Sequence, residues 1–515
     1  MKKFVFLVIT LIFAISAIYA QNKRDYTWIF GITLISPFHE TKGNIMDFNK
    51  KGRIDTLIMY ENVADHNAEI SDLNGNLLFY FNGCRIVSGT SQLMENGDSI
   101  NFGKTWQNGY CGYNYSTYPG SQNSIILPDP GNENGYYLIH KRTELKYEPF
   151  LEVSIPELQY TYVDMSANNG KGKVIKKNKD IFKTRDIVSG YLSACKHANG
   201  KDWWLIQMEQ DTNIYFKTLL TKDGFSVDSQ SIAESPIFTP WTGVGQSVFS
   251  PDGSKWMMFG DINGPLQGNG GALIYDFDRE SGLLSNMQLV ETQDSGGFVG
   301  CAISPNSRFA YLSARWDLYQ IDLWADDIQS SLTHIDHIDG FKDPNFISFF
   351  SQAQLAPDCK IYIVSSTTNN YFHVINKPNE KGKECDFRQH SLYLPNRNYN
   401  GSIPNFPHFR MDEAEICDPT ITSIFGDAVW YRRDMEVWPN PSSGVFNIRL
   451  PDVGKGKLVV MNIEGQVVYK RDVSNIIKDE RIDISGYPSG TYNVEFYPER
   501  LEKERVFYRE QVVKN

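Results

Sequence analysis

The chain has 515 residues and a formal net charge of −11 at pH 7, with 41% hydrophobic and 22% charged residues. At about 100–200 residues per domain, this length holds more than one folded unit, and the composition excludes a disordered chain and a polytopic membrane protein. Aromatic residues make up 13%, beside 40 Gly and 23 Pro. This mixture of β-preferring rings and turn residues favours an all-β protein.

The first twenty residues have the layout of a secretory signal peptide. Two lysines precede an apolar run over residues 4–17, and Ala20 stands before Gln21. We therefore predict a signal peptide at 1–20, cleavage by signal peptidase at about Ala20–Gln21, and a mature chain outside the cytoplasm. The alternative is a retained membrane anchor, which the run disfavours because a membrane span needs roughly 20 residues.

The negative charge is concentrated in the middle of the chain. The first 20 residues carry +2 and residues 435–515 balance 12 Lys/Arg against 12 Asp/Glu, so residues 21–434 carry −13. An acidic body of this kind argues against nucleic acid and anionic lipid as partners.

All seven cysteines precede residue 435. In an oxidising compartment some of them are expected to pair, and Cys84 with Cys111 is a candidate bridge. The odd number leaves at least one unpaired, and Cys195 and Cys301 are expected to be buried free thiols. Because no Cys-x-x-Cys spacing exists, zinc ribbons and thioredoxin-like redox sites are excluded.

A turn followed by a short aromatic and β-branched strand recurs six times in the body. The turns lie at residues 75, 135, 200, 253, 307 and 359, which are 52 to 65 residues apart. Most contain Asn-Gly or Asp-Gly, which accept the positive φ of a tight antiparallel connection. This period predicts one four-stranded sheet per repeat and therefore a β-propeller. The alternative is a series of unrelated hairpins in a β-sandwich.

The number of blades follows from the length of the repeating region. Residues 25–412 span 388 positions, which at about 55 residues per blade predicts seven blades, with six or eight as alternatives. The seventh would be closed by both termini, with early strands at 26–30 and 45–48 completing a sheet with the segment near 407–410. Such closure removes exposed sheet edges.

The composition changes at about Met435. From there the chain has no Cys, balanced charge and short alternating strands, typical of a small antiparallel β-sandwich. We assign 21–412 to a β-propeller-like domain, 413–434 to a linker, and 435–515 to the sandwich.

Three segments of this last domain carry a specific pattern, namely residues 438–448, 460–468 and 482–492, followed by a basic C-terminus. Their order and spacing resemble the type A C-terminal sorting domain of the type IX secretion system of Bacteroidetes. The matching motif residues are Pro439, Asn440, Pro441, Gly444, Gly465, Gly490 and Tyr492. Trp438 stands where Tyr is commoner, and the final strand is expected to be shortened.

This resemblance implies transport. Such a tail engages the type IX secretion machinery and carries its cargo from the periplasm across the outer membrane. It is commonly removed as the cargo is released or attached to the cell surface. The body is also similar to uncharacterised propeller-like proteins that carry such tails, in residues 28–31, 70–80, 196–204 and 357–362. Those segments are largely strand and turn residues, so they support the fold and imply no reaction.

No catalytic motif with a known mechanism occurs in the sequence, neither a Gly-x-Ser-x-Gly elbow nor a His-Glu-x-x-His helix nor a phosphate-binding loop. Propeller enzymes draw their site residues from several blades, so an enzyme stays open as the less favoured interpretation.

Polar residues recur where the chain is expected to approach the propeller channel. Five residues before each repeat proline or its equivalent come Asn123, Ser193, Gln246, Gly300 and Gln352, and residues 65–69 precede the first repeat strand. If these positions begin the innermost strands, they ring one mouth of the channel, the usual ligand site of a propeller. The alternative is that they bind water and backbone or link the blades. The candidate ligand-binding residues are His66, Asn67, Glu69, Asn123, Ser193, Gln246 and Gln352.

No cofactor or metal site is predicted. In residues 334–339, strict alternation would place His334 and Asp336 on one face of a strand and His337 and Asp339 on the other, which favours a solvated outer strand over a metal site. The oxygen-rich turn at 261–269 has side chains that calcium accepts, but such turns are usually only turns.

Together these features predict a protein sorted through the periplasm to the outer cell surface or the medium. Its body is expected to be a binding or adhesion scaffold for an extracellular glycan or protein. The alternative is a secreted hydrolase or lyase, acting on carbohydrate or peptide at the channel mouth, with Glu69 as a candidate acid.

Overall fold

The computed structural model describes residues 21–31, 41–64, 66–111, 118–146, 152–233, 235, 244–261, 270–292, 297–343, 345–398, 403–413, 415–418, 421, 430–432, 435–449, 456–462, 466–473, 479–498 and 506–515. Strands dominate these ranges, which confirms the all-β prediction. Helical structure is limited to an α turn at Ala167–Gly170, a π turn at Trp106–Tyr110, and 3-10 turns at Phe48–Lys50, Gln329–Ser331 and Gly382–Cys385. Among these described helices, none has the length and hydropathy needed to cross a bilayer.

Seven antiparallel sheets follow one another along the described part of the body. Sheet 1 contains β1 (Thr27–Phe30), β2 (Thr41–Asp47) and β3 (Arg53–Met59). Sheet 2 contains β4 (Ala68–Ser71), β5 (Leu77–Phe81) and β6 (Ile86–Ser88). The next strands are β7 (Ser124–Asp129), β8 (Asn132–Lys141), β9 (Glu144–Lys146), β10 (Glu152–Ser154), β11 (Glu157–Asp164) and β12 (Lys173–Lys183). Of these, β7, β8, β11 and β12 form sheet 3, and β9 and β10 form a separate hairpin.

Sheets 4 to 7 have four strands each, paired in chain order. Sheet 4 contains β13 (Ser193–Lys196), β14 (Trp203–Met208), β15 (Ile214–Thr221) and β16 (Gly224–Ser231). Sheet 5 contains β17 (Gln246–Phe249), β18 (Lys255–Asp261), β19 (Gly270–Phe277) and β20 (Leu284–Glu291). Sheet 6 contains β21 (Gly300–Ile303), β22 (Phe309–Ala314), β23 (Asp317–Asp322) and β24 (Thr333–His337). A short hairpin, β25 (Lys342–Asp343) and β26 (Phe346–Ile347), precedes sheet 7, which contains β27 (Ala353–Leu355), β28 (Ile361–Ile363), β29 (Asn369–Ile375) and β30 (Phe387–Asn398).

These sheets are arranged as the blades of a propeller. The first strands of successive sheets contact one another. Strand β1 contacts β4, β4 contacts β7, β13 contacts β17, β17 contacts β21, and β21 contacts β27. Neighbouring sheets pack face to face through large apolar side chains, among them Trp204 and Trp256 between sheets 4 and 5. This radial stacking confirms the propeller class, because unrelated hairpins would not bring the first strands of successive sheets into contact. The number of blades stays a prediction.

Five of the six predicted turns are present. Each has a residue with positive φ at the expected position, namely Gly75, Gly200, Gly253, Ser307 and Cys359. The turn predicted at Gly135 is wrong, because that residue lies inside β8. Asp129 pairs with Asn132, so Pro130 and Gly131 form the turn instead. Pro-Gly is the stronger turn signal and lies just upstream.

The closure differs from the predicted one. Strands β1, β2 and β3 pair only with each other, and residues 407–410 belong to no described strand. Sheet 1 instead packs beside the last strand of sheet 7, where the Asn44 amide donates to Asn396 O at 2.9 Å. The Trp28 ring also packs edge-on against Tyr362 of sheet 7, with centroids 5.7 Å apart.

Two disulfides fix the body. The predicted bridge Cys84–Cys111 is present, and a second one, Cys359–Cys417, ties the chain after sheet 7 back to the start of β28. Cys195 and Cys301 are buried free thiols as predicted, and Cys385 is a third.

The last domain is a two-sheet sandwich. Its strands are β31 (Trp430–Arg432), β32 (Glu436–Trp438), β33 (Val445–Arg449), β34 (Gly456–Asn462), β35 (Val467–Val473), β36 (Asp479–Asp483), β37 (Gly490–Pro498) and β38 (Val506–Lys514). One sheet has the order β31-β38-β37-β34-β35 and the other β32-β33-β36. All described pairings between these strands are antiparallel except that of β31 with β38. The final strand has nine residues, so the expected shortening is wrong.

Candidate functional site

Glu69 and Asn67 lie at the contact between sheets 1 and 2. Both carboxylate oxygens of Glu69 accept the backbone N–H of Ile29 at 2.9 Å, and the Asn67 amide donates to Ile29 O at 2.8 Å. The Glu69 side chain is fully buried, which raises its pKa well above the usual value. These two residues therefore hold the middle of β1 against β4.

His66 packs among aromatic rings in the same region. Its Nδ1 lies 3.2 Å from Tyr118 O, and its ring meets those of Tyr118 and Phe81 edge-on. Its Nε2 is buried and has no hydrogen-bond partner. Burial lowers its pKa to about 4, so the imidazole is neutral at physiological pH. Asp65, which precedes it, lies outside the described residues.

The residues predicted at the channel mouth do lie at the starts of the innermost strands. Ser193, Gln246 and Gly300 are the first residues of β13, β17 and β21. Asn123 and Gln352 come one residue before β7 and β27. We call this end of the propeller the upper face. Whether these residues bind a ligand stays a prediction.

The side chains at these positions link neighbouring sheets. Asn123 Oδ1 accepts the Gly190 N–H at 2.6 Å, and its Nδ2 donates to Ser189 Oγ at 3.1 Å. Ser193 Oγ lies 2.8 Å from the hydroxyl of Ser247 in sheet 5.

Gln246 makes the longest link. Its Oε1 accepts the N–H groups of Cys301 and Ala353, at 3.1 and 2.9 Å, and its Nε2 donates to Ala353 O. One side chain therefore joins sheets 5, 6 and 7.

Gln352, 7% exposed, lies beside Gly300, where an added Cβ would stand 2.4 Å from the Gln352 Cα. The first strands consequently approach too closely for any other residue at position 300.

The centre of the propeller is filled by residues 403–411, which we call the plug. Asn405 lies at its middle, where its amide donates to Ser124 O and Leu192 O, both at 2.8 Å. Gln122 completes the junction by donating to Asn405 Oδ1 at 3.2 Å and to Ser247 O at 2.8 Å. The Phe406 and Phe409 rings pack beside Trp28 and Trp203.

A cavity of about 20 Å³ remains beside the plug, which is space for one or two water molecules. Gln122, described residues from sheets 4 to 7 and the plug line it, including Ser193, Ser247 and His408. No carboxylate is among these described lining residues.

Sequence reasoning missed Gln122, Ser247 and Asn405, although they form the central junction. A signal for the plug was present in Ile403-Pro404-Asn405-Phe406-Pro407. Two prolines so close together cannot form a paired blade strand, so a non-strand role for this segment was readable.

The His334–Asp339 cluster differs from the alternation that was predicted. A register shift between Leu318 and Tyr319 interrupts the pairing of β23 with β24. As a result, His334 Nε2 and His337 Nδ1 both reach Asp317 Oδ1, at 2.6 and 2.9 Å. Among the described residues, no group of three or more His, Cys, Asp or Glu side chains is arranged to hold a metal ion. Most of the calcium candidate, residues 262–269, lies outside the described ranges.

Three buried histidines and the half-buried His408 should make the stability of the body sensitive to acid. Burial lowers the pKa of His66 and His408 to about 4, and of His140 and His373 to about 3. In the unfolded chain these groups protonate near pH 6.5. Below that pH the unfolded state binds more protons than the folded state. The free energy of unfolding therefore decreases as pH falls from about 6.5 towards 4.

His140→Gln isolates one of these groups. Between pH 6 and 4.5, the free energy of unfolding of this variant should fall less steeply than that of the wild type, by about 1.4 kcal/mol per pH unit. Glu69 opposes the histidines over part of this range because its pKa is raised, but it affects both proteins equally. Urea unfolding at several pH values measures the two slopes, and equal slopes would contradict the neutral buried state of His140.

The motif residues of the last domain fasten its beginning to its end. Asn440 Oδ1 accepts the Val513 N–H and its Nδ2 donates to Gln511 O, both at 2.8 Å. Pro439 and Pro441 both follow cis peptide bonds. Gly444 has φ +109°, and a Cβ there would stand 2.8 Å from the Ser485 Cα.

Two further motif contacts lie in the described part of this domain. The Tyr492 hydroxyl donates to Pro488 O at 2.6 Å, closing the turn that precedes β37 and Gly490. Lys514 Nζ donates to Ser485 O at 2.8 Å. Gly465 lies outside the described residues.

Comparisons with known proteins assign this domain. Residues 436–505 match the family described as secretion system C-terminal sorting domain. A sequence comparison of the chain with curated proteins finds no match.

Three solved structures illustrate what the whole chain is similar to. The periplasmic gluconolactonase of Pseudomonas aeruginosa is 11% identical, with a TM-score of 0.34 over 89% of this chain and 99% of that one. An exo-β-1,3-galactanase of Phanerochaete chrysosporium is 6% identical, with a TM-score of 0.32 over 77% and 96%. A protein of unknown function from Desulfotomaculum acetoxidans is 11% identical, with a TM-score of 0.32 over 69% and 86%. Similarities at this level carry no argument about activity.

The family match covers the part of the chain in which the sorting motif was recognised. A tail of this family is the address for export by the type IX secretion system to the cell surface or the medium. The chain is therefore a β-propeller protein whose C-terminal domain belongs to the secretion system C-terminal sorting domain family.

Proposed function

We propose that the propeller acts outside the cell as a non-catalytic binding scaffold and that the sorting domain serves to deliver it there. The observation that carries this proposal is the plug. Propeller enzymes need an open, solvated pocket in which catalytic groups from several sheets converge. Here Asn405, Phe406 and Phe409 of the described plug occupy that place, and the cavity that the described residues form beside them has room for one or two water molecules.

The charges near the centre support the same interpretation. A glycosidase requires two carboxyl groups about 5–10 Å apart around the bond that it breaks. Glu69, the candidate acid of the rival hydrolase, is fully buried, and its oxygens accept the Ile29 N–H. A ligand would therefore bind to the loops and hairpins of a propeller face rather than in its channel.

The predicted processing completes the proposal. Signal peptidase would cut at about Ala20–Gln21, and the tail would engage the secretion machinery through residues 435–515. The released or surface-attached body would then bind an extracellular glycan or protein.

Incubation of the purified full-length mature chain with a panel of polysaccharides and peptides tests the scaffold. We expect retention of the protein on one of the immobilised polymers without release of products, measured by reducing-end and amine assays. A Glu69→Gln variant should behave like the wild type in the product assays. Product formation that disappears in Glu69→Gln would overturn the scaffold proposal and favour the hydrolase.

A further inference from the structure

Arg315 and Trp316 form the hairpin between β22 and β23. Because Gly300 pairs with Ser313, this hairpin lies on the upper face, where the innermost strands begin. Trp316 is 38% exposed and its ring meets Phe349 edge-on, with centroids 4.8 Å apart. The guanidinium carbon of Arg315 lies 5.7 Å from the Trp316 ring centroid and 4.8 Å from that of Phe349. The hairpin therefore presents a cation packed against two aromatic rings that also contact each other.

Within the described part of the chain, the Arg315 guanidinium has no anionic partner. Its Nε is buried without a hydrogen-bond partner, and no carboxylate of a described residue forms an ion pair with it. Six other arginines of the described propeller contact a carboxylate, namely Arg85, Arg142, Arg279, Arg308, Arg388 and Arg410. Because no described carboxylate neutralises the Arg315 cation, it is available to an anion supplied from outside.

The backbone holds this side chain in place. Arg315 has φ +62°, in the left-handed region that non-glycine residues rarely adopt. Its carbonyl accepts the Phe350 N–H at 2.9 Å, and the neighbouring Ser313 hydroxyl donates to Ser351 O. The hairpin of sheet 6 is thus fastened to the segment that leads into sheet 7. Strained residues held this firmly cluster at binding sites.

We propose that Arg315, Trp316 and Phe349 form a binding site for a saccharide that carries an acidic group, foremost the carboxylate of a uronic acid. The planar guanidinium matches a carboxylate in two-point geometry. The exposed indole offers a flat surface against which the C–H face of a sugar ring packs. The inference deepens the proposed scaffold function and rests on it.

The negative charge of the rest of the protein makes the Arg315 cation decisive for binding an acidic sugar. Residues 21–434 carry −13, so polyanions are repelled over most of the surface. Binding of an acidic sugar must therefore depend on the local cation, and removal of that one charge should weaken it.

The chain also offers a matched control site. Arg308 lies 5.3 Å from the ring of Trp324, which is 62% exposed. This pair also combines a cation with an exposed indole, but Arg308 already holds Asp322 through Nη2 at 2.8 Å and Nε at 3.1 Å. Because its cation is neutralised, the Arg308–Trp324 pair should not bind the ligand.

Titration of the full-length mature chain with oligogalacturonate tests the site, by calorimetry or tryptophan fluorescence. We expect saturable binding that Arg315→Gln and Trp316→Ala each weaken about tenfold or more, the loss expected for one charge-assisted contact. Trp324→Ala and Arg388→Gln should leave affinity unchanged. The methyl ester of oligogalacturonate, which keeps the sugar and lacks the charge, should bind at least about tenfold more weakly.

A second pair of probes separates the two sources of an acidic group. Dextran sulfate binding that depends on Arg315 while dextran does not bind would support the site and assign it to sulfated sugars. Unchanged affinity in both Arg315→Gln and Trp316→Ala, or absence of binding to every acidic saccharide by wild type with a native thermal transition, overturns the inference. Binding that is independent of Arg315 leaves the scaffold proposal standing, whereas degradation of the probe overturns the scaffold itself.

Discussion

Removal of residues 435–515 is expected to leave a folded body in the periplasm and none at the cell surface or in the medium. The sorting domain has a hydrophobic core of its own, built from residues between Met435 and Val512. The propeller keeps its own clusters and both disulfides without it. Cell fractionation with an antibody against the body measures the distribution, and protease resistance of the periplasmic protein shows that it is folded.

A point variant distinguishes loss of the sorting signal from a general effect of shortening the chain. Gly444→Val places a branched side chain where a Cβ would stand 2.8 Å from Ser485 Cα, at φ +109°. It should therefore disrupt the sorting domain and cause the same periplasmic retention. Val467→Thr, at a position that is 52% exposed, is the matched control and should be exported normally. Normal export of the truncated chain would contradict the assignment of the tail as the address.

Intact mass of the exported wild-type protein extends this experiment. A species that begins near Gln21 and ends before Met435 would mean that the tail is removed on export. A species that keeps residues 435–515 would mean that the tail remains as part of the working protein.

The largest single-residue effect on stability is expected at Arg410. Its guanidinium lies at the end of the plug, binds both oxygens of Asp25, and donates to Asn22 O at 2.8 Å. The Arg410 and Asp25 side chains are only 6% and 7% exposed. Arg410→Met would leave the Asp25 carboxylate buried without its partner, which costs about 3–5 kcal/mol. Denaturant unfolding of the full-length mature chain measures this loss.

Two comparisons make this prediction specific. Arg388→Met removes a surface ion pair with Asp386, in which the Arg388 side chain is 50% exposed. This substitution should lower the free energy of unfolding by about 1 kcal/mol or less. The double variant Asp25→Asn with Arg410→Met should be more stable than Arg410→Met alone, because no unpaired charge remains. A loss below about 1 kcal/mol in Arg410→Met would show that the plug does not depend on this pair.

The repeat was readable from the sequence because hairpin turns depend on local chemistry. Asn-Gly and Asp-Gly accept positive φ wherever they stand, and five predicted turns, including Gly75 and Gly253, have that conformation. The failure at Gly135 has the same origin, since Pro130-Gly131 was the stronger local signal. The sorting domain was readable for a different reason, because its motif residues occur in a fixed order and spacing along the chain.

The candidate site was readable only in part. The starts of the innermost strands could be predicted at Ser193 and Gln246, since each precedes a turn by a fixed distance. What their side chains contact could not, because Gln246 bonds to Cys301 and Ala353, which are 55 and 107 residues away. The register shift that brings His334 and His337 to one carboxylate depends on how β23 meets β24, and no local pattern encodes it.

The sequence by itself determined the all-β class, the repeating sheets, one disulfide and the identity of the sorting domain, since each depends on residues that are close in the chain or on a contiguous motif. Only the tertiary structure decided that residues 403–411 fill the channel and that Cys359 pairs with Cys417. It also decided that Arg315 packs against two rings with no carboxylate of a described residue paired to it. These features arise where segments distant in sequence meet, and their energies depend on burial and on missing or present partners, which no local pattern specifies.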